Sequence, residues 1–275
     1  MGKLYICPTP IGNLDDMTIR GLKVLESVNL IAAEDTRHTI KLLNHFEIKT
    51  KLFSYHEHNK RTAGPQLVER LLGDEDVALV SDAGMPGISD PGEDLVKLCV
   101  EAGVEIEALP GASAVITALA ASGLSTRRFL FEGFLDRHKK VRRDRLTYLE
   151  PLKETLVFYE SPHRLLDTLG DFIKILGDRQ IVLARELTKR YEEYFRGSIS
   201  DGIRHFKEKG IKGEFVVIVE GNLIVKEKVF DLSIEEHLKQ VIASGISKKE
   251  AITMVAKERD LPKKDVYQIA IDIKK

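Results

Sequence analysis

Short apolar, strand-like runs alternate with segments of helical period over the first 220 residues or so, and this alternation limits the fold more than any other feature. A chain ordered this way builds βα units around a mostly parallel sheet, so the expected class is α/β. Candidate strands lie at 3–9, 29–33, 51–55, 77–80 and 105–109, with helices at 18–28, 36–46, 64–72 and 94–102 between them. A helix of small residues at 112–121 closes this set. The second set runs strand 129–134, helix 141–149, strand 155–159, helix 164–176 and strand 180–184. Strands at 191–198 and 214–220 then flank a helix near 201–209, which predicts antiparallel pairs in this half. Gly, Ser and Thr at 122–126 interrupt the pattern and mark a boundary. The expected organisation is one α/β domain over 1–123, a second over 124–222, and a helical extension over 223–275.

That extension begins with a charged connector, VKEKVFDLS, and continues as three helices. Ser247 is a plausible N-cap, and Leu261-Pro262 breaks the chain before the last helix. Apolar residues at Ile246, Ala251, Val255, Leu261, Val266 and Ile269 give the outline of a helix-turn-helix, which fits a helical cap or dimer contact as well as a nucleic-acid reader. At 275 residues, with 43% hydrophobic and 31% charged, the chain has the material for two cored domains. Its longest apolar window, 112–121, is far short of the ~20 residues of a membrane span. Met1 leads into a strand pattern rather than a signal sequence, so the expected location is cytoplasmic. Cys7 and Cys99 have neither metal spacing nor a disulfide pattern and read as buried, inert thiols.

Four loops follow predicted strands and are richer in Gly, Pro, Ser or acids than a simple connection needs: PTPIGNLDD (8–16), SDAGMPGISDPG (81–92), LPGAS (109–113) and YESPHR (159–164). Ligands of open α/β sheets sit outside the carboxyl ends of the strands, which is where these loops fall. The 81–92 loop is not G-x-G-x-x-G, and no G-x-x-x-x-G-K-[ST] occurs, so neither standard phosphate cradle is present. Gly84, Gly87 and Gly92 would let backbone approach a ligand, while Pro86 and Pro91 fix the loop's shape. Asp82 and Asp90 suit ribose hydroxyls or helix capping; a long turn that caps the following helix is the alternative reading of the loop. The net charge of -1 excludes a protein coated in basic charge, but Arg137 to Arg145 hold six Lys/Arg and one His in nine residues. Histidines 38, 45, 56 and 58 lack metal-ligand spacing, and no metal is expected.

The blocks LYICPTPIGNLDDMTIR, AAEDTRHTIKLLNHFEI, SYHEHN, VALVSDAGMPGISDPG, ALPGASAVITALAASGL, FEGFLDRHKKVRRDRL, FYESPHRL, ARELTKRYEEYFRGS and GEFVVIVEG follow in that order from about residue 3 to 221. Together they resemble the ribosomal RNA small subunit methyltransferase I family, of the tetrapyrrole-methylase fold group. The resemblance implies S-adenosylmethionine in a cleft between two α/β domains, a homodimer, and 2'-O-methylation of a cytidine in the decoding region of small-subunit (16S) rRNA within the 30S particle. It places the cofactor against Pro10, Ser81, Asp82, Ala83, Gly84, Met85, Pro86, Ile88, Ser89, Ser113 and Ala114 of the first domain. From the second domain it implies Tyr159, Glu160, Ser161, Arg185, Glu186, Gly213 and Glu214. RNA is expected at Arg37, His38, Arg127, Arg128, Arg137, His138, Lys139, Lys140, Arg142 and Arg143.

A ribose hydroxyl is a weak nucleophile, and the candidate bases are Glu34, Asp35, His56, His58 and Glu160; a Lys or Arg that steadies the alkoxide is the alternative. Two positions depart from the family pattern: Met85 where Thr is common, and Asp136 where Pro usually follows Gly-Phe-Leu. The first bears on a cofactor contact and the second on how the basic segment begins. Rival readings are a methylase of tetrapyrroles or another small metabolite on the same fold, and a nucleic-acid-binding module without catalysis.

Overall fold

Leu30–Ala33 (β2) and Val77–Val80 (β4) are buried at every position, as befits strands covered on both faces. The computed structural model describes residues 1–223, 232–259, 261–271 and 273. With Lys3–Ile6 (β1), Leu52–Ser54 (β3) and Glu105–Ala108 (β5), these strands form a sheet of order β3-β2-β4-β1-β5, parallel throughout. Helices Ile19–Ser27 (α1), Thr36–His45 (α2), Lys60–Leu72 (α3) and Gly92–Glu101 (α4) make the crossovers, and Ala114–Ala120 (α5) follows the last strand.

Capping sets where two of these helices start: the Thr18 hydroxyl accepts from Gly21 N, and the Asp35 carboxylate from Arg37 N. Sequence pattern places the start of α3 at Gly64, but it begins at Lys60. Asn59 accounts for the difference, since its side chain accepts from His56 N at 2.8 Å and donates to Ser54 O at 2.9 Å, which closes the β3–α3 turn early. Gly64 lies where α3 meets α4; a Cβ there would stand 2.8 Å from Leu98 Cδ1.

The second sheet contains Phe129–Phe134 (β6), Thr155–Glu160 (β7), Gln180–Arg185 (β8), Glu193–Ser198 (β9) and Phe215–Val219 (β10) in the order β6-β7-β10-β8-β9. Only β6 and β7 pair in parallel; the other three ladders are antiparallel, with β10 lying between β7 and β8. Lys139–Leu149 (α6), Leu165–Ile175 (α7) and Ile199–Lys209 (α8) complete this half, and a Ser198–Asp201 capping box starts α8 two residues before the expected 201.

The two sheets share a core. Ile11, Val115, Ala118 and Leu119 of the first half pack with Val157, Val182, Ala184, Val216 and Ile218 of the second. Residues Met1–Leu223 therefore form one compact unit, with β1–β5 inside the expected 1–123 and β6–β10 inside the expected 124–222. Cys7 and Cys99 are fully buried within it, and burial pushes their thiols up to about 12 and about 11.

Ile224–Lys275 form a second unit. Helices Ile234–Ala243 (α9), Lys248–Arg259 (α10) and Lys263–Ile271 (α11) enclose Leu238, Ala251, Val255, Val266 and Ala270. Ser247 accepts from Glu250 N at 3.3 Å, and the Pro262 carbonyl accepts from Asp265 N at 2.9 Å. Residues 225–231 of the expected charged connector lie outside the described residues. Among the described residues no helix is long and apolar enough to cross a membrane.

Candidate functional site

A cleft of about 530 Å³ opens at the carboxyl ends of β1, β2 and β4. Thr9 to Gly12 and Ser81 to Ala83 line it, with His38 and Lys41 of α2 on one side and Lys189 and Glu214 of the second half on the other. Its floor is backbone: Thr9 N donates to Gly84 O at 3.0 Å, and Gly84 N donates back to Thr9 O at 2.9 Å. Gly84 has φ +81°, and a Cβ there would press on Ile11 Cγ2 at 3.2 Å, so both conformation and space call for glycine.

Asp90 shapes the rest of the 81–92 loop, accepting from Gly87 N and Gly92 N at 2.8 Å each. The turn presents Ile88 to solvent at 47% exposure, an apolar side chain without a core to enter. It also brings Ser89, at φ +67°, against the bulge in β6, where a Cβ on Gly133 would stand 3.0 Å from Ser89 Oγ. Pro86 is buried within the loop. Met85 packs into the core under the first sheet with Leu79, Leu95 and Val104. Its departure from the family pattern therefore falls at least in part on packing.

Across the cleft, backbone in the left-handed region concentrates in two short segments: Glu186 (φ +49°), Thr188 (φ +63°) and Gly213 (φ +82°). Such conformations are held by their surroundings and gather at functional sites. Here the Glu186 carboxylate accepts from Glu214 N and Lys189 Nζ, each at 3.0 Å, and a Cβ on Gly213 would overlap Glu186 Cγ at 2.4 Å. Gly12 meets this wall closely: a Cβ there would stand 2.7 Å from Thr188 Oγ1 and 2.8 Å from Leu187 O. Thr188 Oγ1 and Arg185 Nε are both buried with no partner. Ser113 holds the N-cap position of α5 without bonding its own helix, and Ala114 begins that helix. Tyr159 stands between Phe131 and Phe134, with ring centroids at 5.0 and 5.4 Å, and burial raises its phenol.

Four carboxylates gather on the first-sheet side. Asp82 accepts from Asp35 N at 3.0 Å. Asp35 caps α2 and takes Arg37 Nε at 3.0 Å and Nη2 at 2.8 Å, which holds it down to about 2. A carboxyl so stabilised as an anion makes a weak base. Glu34, one residue earlier and half-buried, behaves oppositely: burial raises its pKa, with the charges of Asp82 and Asp90 adding to the effect. His56 Nδ1 is buried without a partner, and its ring centroid lies 6.0 Å from that of His58.

Glu160 is corrected as a candidate base. It is 2% exposed, accepts from Thr168 Oγ1 at 2.6 Å and from Ser161 N at 2.8 Å, and so braces the β7–α7 turn. Arg142 is corrected as an expected phosphate contact, whereas Arg143 keeps a side chain 37% exposed beside its pair with Asp171. Arg142 is 6% exposed and donates to Asp171 Oδ2 through Nε (3.0 Å) and Nη2 (2.7 Å), while Arg143 Nε donates to Asp171 Oδ1 at 2.8 Å. Arg145 is held by Glu132 at 2.6 Å. The second half of the basic run thus fastens α6 to its neighbours, Arg142 alone from a buried position. Arg137, His138, Lys139 and Lys140 remain exposed at its start, as do Arg127 and Arg128 before β6. Asp136 turns the chain into α6 by accepting from His138 N at 2.6 Å.

Sequence reading missed Lys41 and Lys189 in the cleft wall. Lys41 was recoverable, since it follows His38 by three on α2 and shares its face. Lys189 reaches the cleft through the left-handed turn at 186–188, which leaves no signature in composition.

The profile described as Tetrapyrrole (Corrin/Porphyrin) Methylases matches residues 3–201. "Ribosomal RNA small subunit methyltransferase I" of Halalkalibacterium halodurans is 53% identical over 98% of this chain and 94% of its own length. The protein of that name in Bacillus subtilis is 49% identical over 97% and 93%. Among solved structures, the methyltransferase CobJ aligns with TM-score 0.61 and 20% identity over 81% of this chain and 95% of its own. A Thermus thermophilus uroporphyrin-III C-methyltransferase complexed with S-adenosyl homocysteine gives 0.57 and 15% over 79% and 97%; likenesses this distant show the fold alone. The chain therefore belongs to the tetrapyrrole methylases, and within them to the ribosomal RNA small subunit methyltransferase I family.

Proposed function

We propose that this enzyme transfers the methyl group of S-adenosylmethionine to the 2'-oxygen of a cytidine in the decoding region of 16S rRNA. The observation that carries this reading is the near-full-length likeness to relatives named for rRNA methylation, 53% in one case. S-adenosylmethionine supplies an electrophilic methyl on a sulfonium, and the residues of the cleft fit such a group. Arg185 Nε and Thr188 Oγ1 are buried donors without partners among the described residues, and the Ser113 hydroxyl does not cap its own helix; all three suit its carboxylate. The outward Asp82 suits ribose hydroxyls, and Ile88 with Tyr159 suits a base.

The chain's own part is alignment, exclusion of water and removal of one proton. Glu34 is the group assigned to accept the proton of the ribose hydroxyl, because its raised pKa makes it the more basic of the carboxylates at the end of β2. Arg137, His138, Lys139 and Lys140, with Arg127 and Arg128, would hold phosphates. These exposed basic residues favour RNA over an enclosed small metabolite.

The deciding experiment is transfer of labelled methyl to assembled small subunits and to naked rRNA, with the product nucleoside identified. The expected product is 2'-O-methylcytidine; a base-methylated nucleoside, or methylation of a tetrapyrrole alone, would overturn the reading. Glu34→Gln should lower kcat by roughly 10²-fold or more with S-adenosylmethionine affinity unchanged. Glu34 must be ionised to act, so the wild-type rate falls as pH drops through its raised pKa, and Glu34→Gln should abolish that limb.

A further inference from the structure

The second unit has a groove of its own, about 550 Å³, between α10 and α11, lined by Lys248, Lys249, Lys263, Tyr267, Ile252 and Ile271. Three lysines around one concavity need an explanation, and helix stability does not provide it. The two helices open alike, Ser247-Lys-Lys-Glu250 and Pro262-Lys-Lys-Asp265, so each carries a lysine pair in its first turn. Positive charge there opposes the helix dipole, and the arrangement weakens both helices. Lys248 is held by the Ile273 carbonyl at 2.8 Å, but Lys249 and Lys263 stand exposed with no acidic partner among the described residues. Tyr267, one turn beyond Lys263, is 57% exposed, and Ile271 follows it at 60%.

Converging ammonium groups beside an uncovered aromatic ring match one occupant by charge and shape, a single-stranded nucleic acid whose phosphates meet the lysines and one of whose bases stacks on the ring. We infer that the α10–α11 groove binds the backbone of single-stranded rRNA through Lys249 and Lys263, with Tyr267 as the stacking platform. This rests on the rRNA reading above and adds a hold on the substrate that belongs wholly to the second unit. The groove governs affinity for RNA and takes no part in the transfer step.

The test uses the full chain. Lys249→Gln/Lys263→Gln is compared with Lys239→Gln/Lys257→Gln, an equal loss of charge on exposed lysines of the same unit outside the groove. Binding to a naked 16S rRNA fragment is followed by fluorescence anisotropy across a salt series, beside methyl-transfer kinetics. The groove variant should bind about tenfold more weakly at 0.15 M salt, with the salt slope reduced by about 1.4. Its KM for RNA should rise with kcat and S-adenosylmethionine affinity unchanged, while the control behaves as wild type. Tyr267→Ala should weaken binding several-fold, and Tyr267→Phe should restore it. Circular dichroism should show full helix content, since removing these charges relieves the dipole conflict.

Equal losses in groove and control variants, or an unchanged salt slope in the groove variant, would overturn the inference while active wild-type enzyme left the methylation reading standing. Wild type that bound RNA but transferred no methyl would sink the methylation reading, and the groove would still be judged by the slopes. Wild type that bound no RNA would overturn both.

Discussion

Arg142 and Arg143 lie in the most basic stretch of the chain, and the structure makes opposite predictions for its two ends. Asp171 is 4% exposed at its side chain and meets Arg142, itself 8% exposed, at 2.7 Å. At an effective dielectric constant of 20, one such pair attracts by on the order of 6 kcal/mol, against a desolvation penalty of several kcal/mol per ion. The net pair is worth little, and Arg143 still meets Asp171 at 2.8 Å when Arg142 is removed, so loss of Arg142 alone costs less than the about 3–5 kcal/mol of a fully stranded buried charge. Arg142→Glu goes further, placing a second buried carboxylate beside Asp171, and so reaches that full cost. Unfolding entropy for the 223-residue unit is about 0.47 kcal/mol/K, so the melting temperature should fall by about 6–11 °C or more. Lys139→Glu/Lys140→Glu, both exposed, should leave it within about 1 °C and weaken rRNA binding. Calorimetric melting read beside RNA anisotropy separates the two. An Arg142→Glu enzyme with wild-type melting and a selective loss of RNA affinity would refute the internal role argued for this arginine.

The same cluster is sensitive to acid. Burial tends to raise the Asp171 carboxyl, but Arg143 and Arg142 hold it below the usual range. A depressed carboxylate contributes stability above its unfolded value of about 3.9 and loses it as pH falls toward the folded one, so Asp171→Asn should flatten the melting profile below about pH 4. In the cleft, Gly213→Ala must shift the Glu186 side chain and hold alanine at φ +82°; a loss of about 1–3 kcal/mol is expected in calorimetry, with weaker S-adenosylmethionine binding. Ile88→Ser should leave melting unchanged, because the residue is 47% exposed, and weaken cofactor binding about fivefold by titration calorimetry. Unchanged affinity would remove Ile88 from the cofactor wall.

The fold was legible where local pattern and tertiary role agree. Strands β2 and β4 are continuously apolar because both faces are covered, so the rule that finds strands also finds their central place. Pairing order in the second half was not legible, since β10 enters between β7 and β8 from far along the chain. Glycine placement at 84 and 213 follows from steric contacts with Ile11 and Glu186, residues distant in sequence. The basic run misled for a related reason: a count of charges treats Arg137 and Arg142 alike, whereas helical position turns Arg142 inward to Asp171 on α7. Charge patterning reads the surface correctly only where no buried acid waits across the next helix.

The carboxylates at the end of β2 show what three dimensions add to chemistry. Glu34 and Asp35 are neighbours of the same charge type, and sequence offers no ground to prefer one as a base. Asp35 begins α2, where its carboxylate takes a backbone amide and the Arg37 guanidinium; both stabilise the anion. Glu34, one position back, meets burial and the carboxylates of Asp82 and Asp90, which destabilise the anion. The shape of the glycine loop produces that contrast, since Asp90 is fixed by Gly87 N and Gly92 N, and Asp82 is oriented by Asp35 N. Pairs of like groups driven apart by their surroundings mark acid and base assignments, and on that ground the proposed function gives Glu34 rather than Asp35 the proton. The loop at 81–92 therefore acts twice: its backbone forms one wall of the cleft, and its two aspartates add to the burial that raises Glu34.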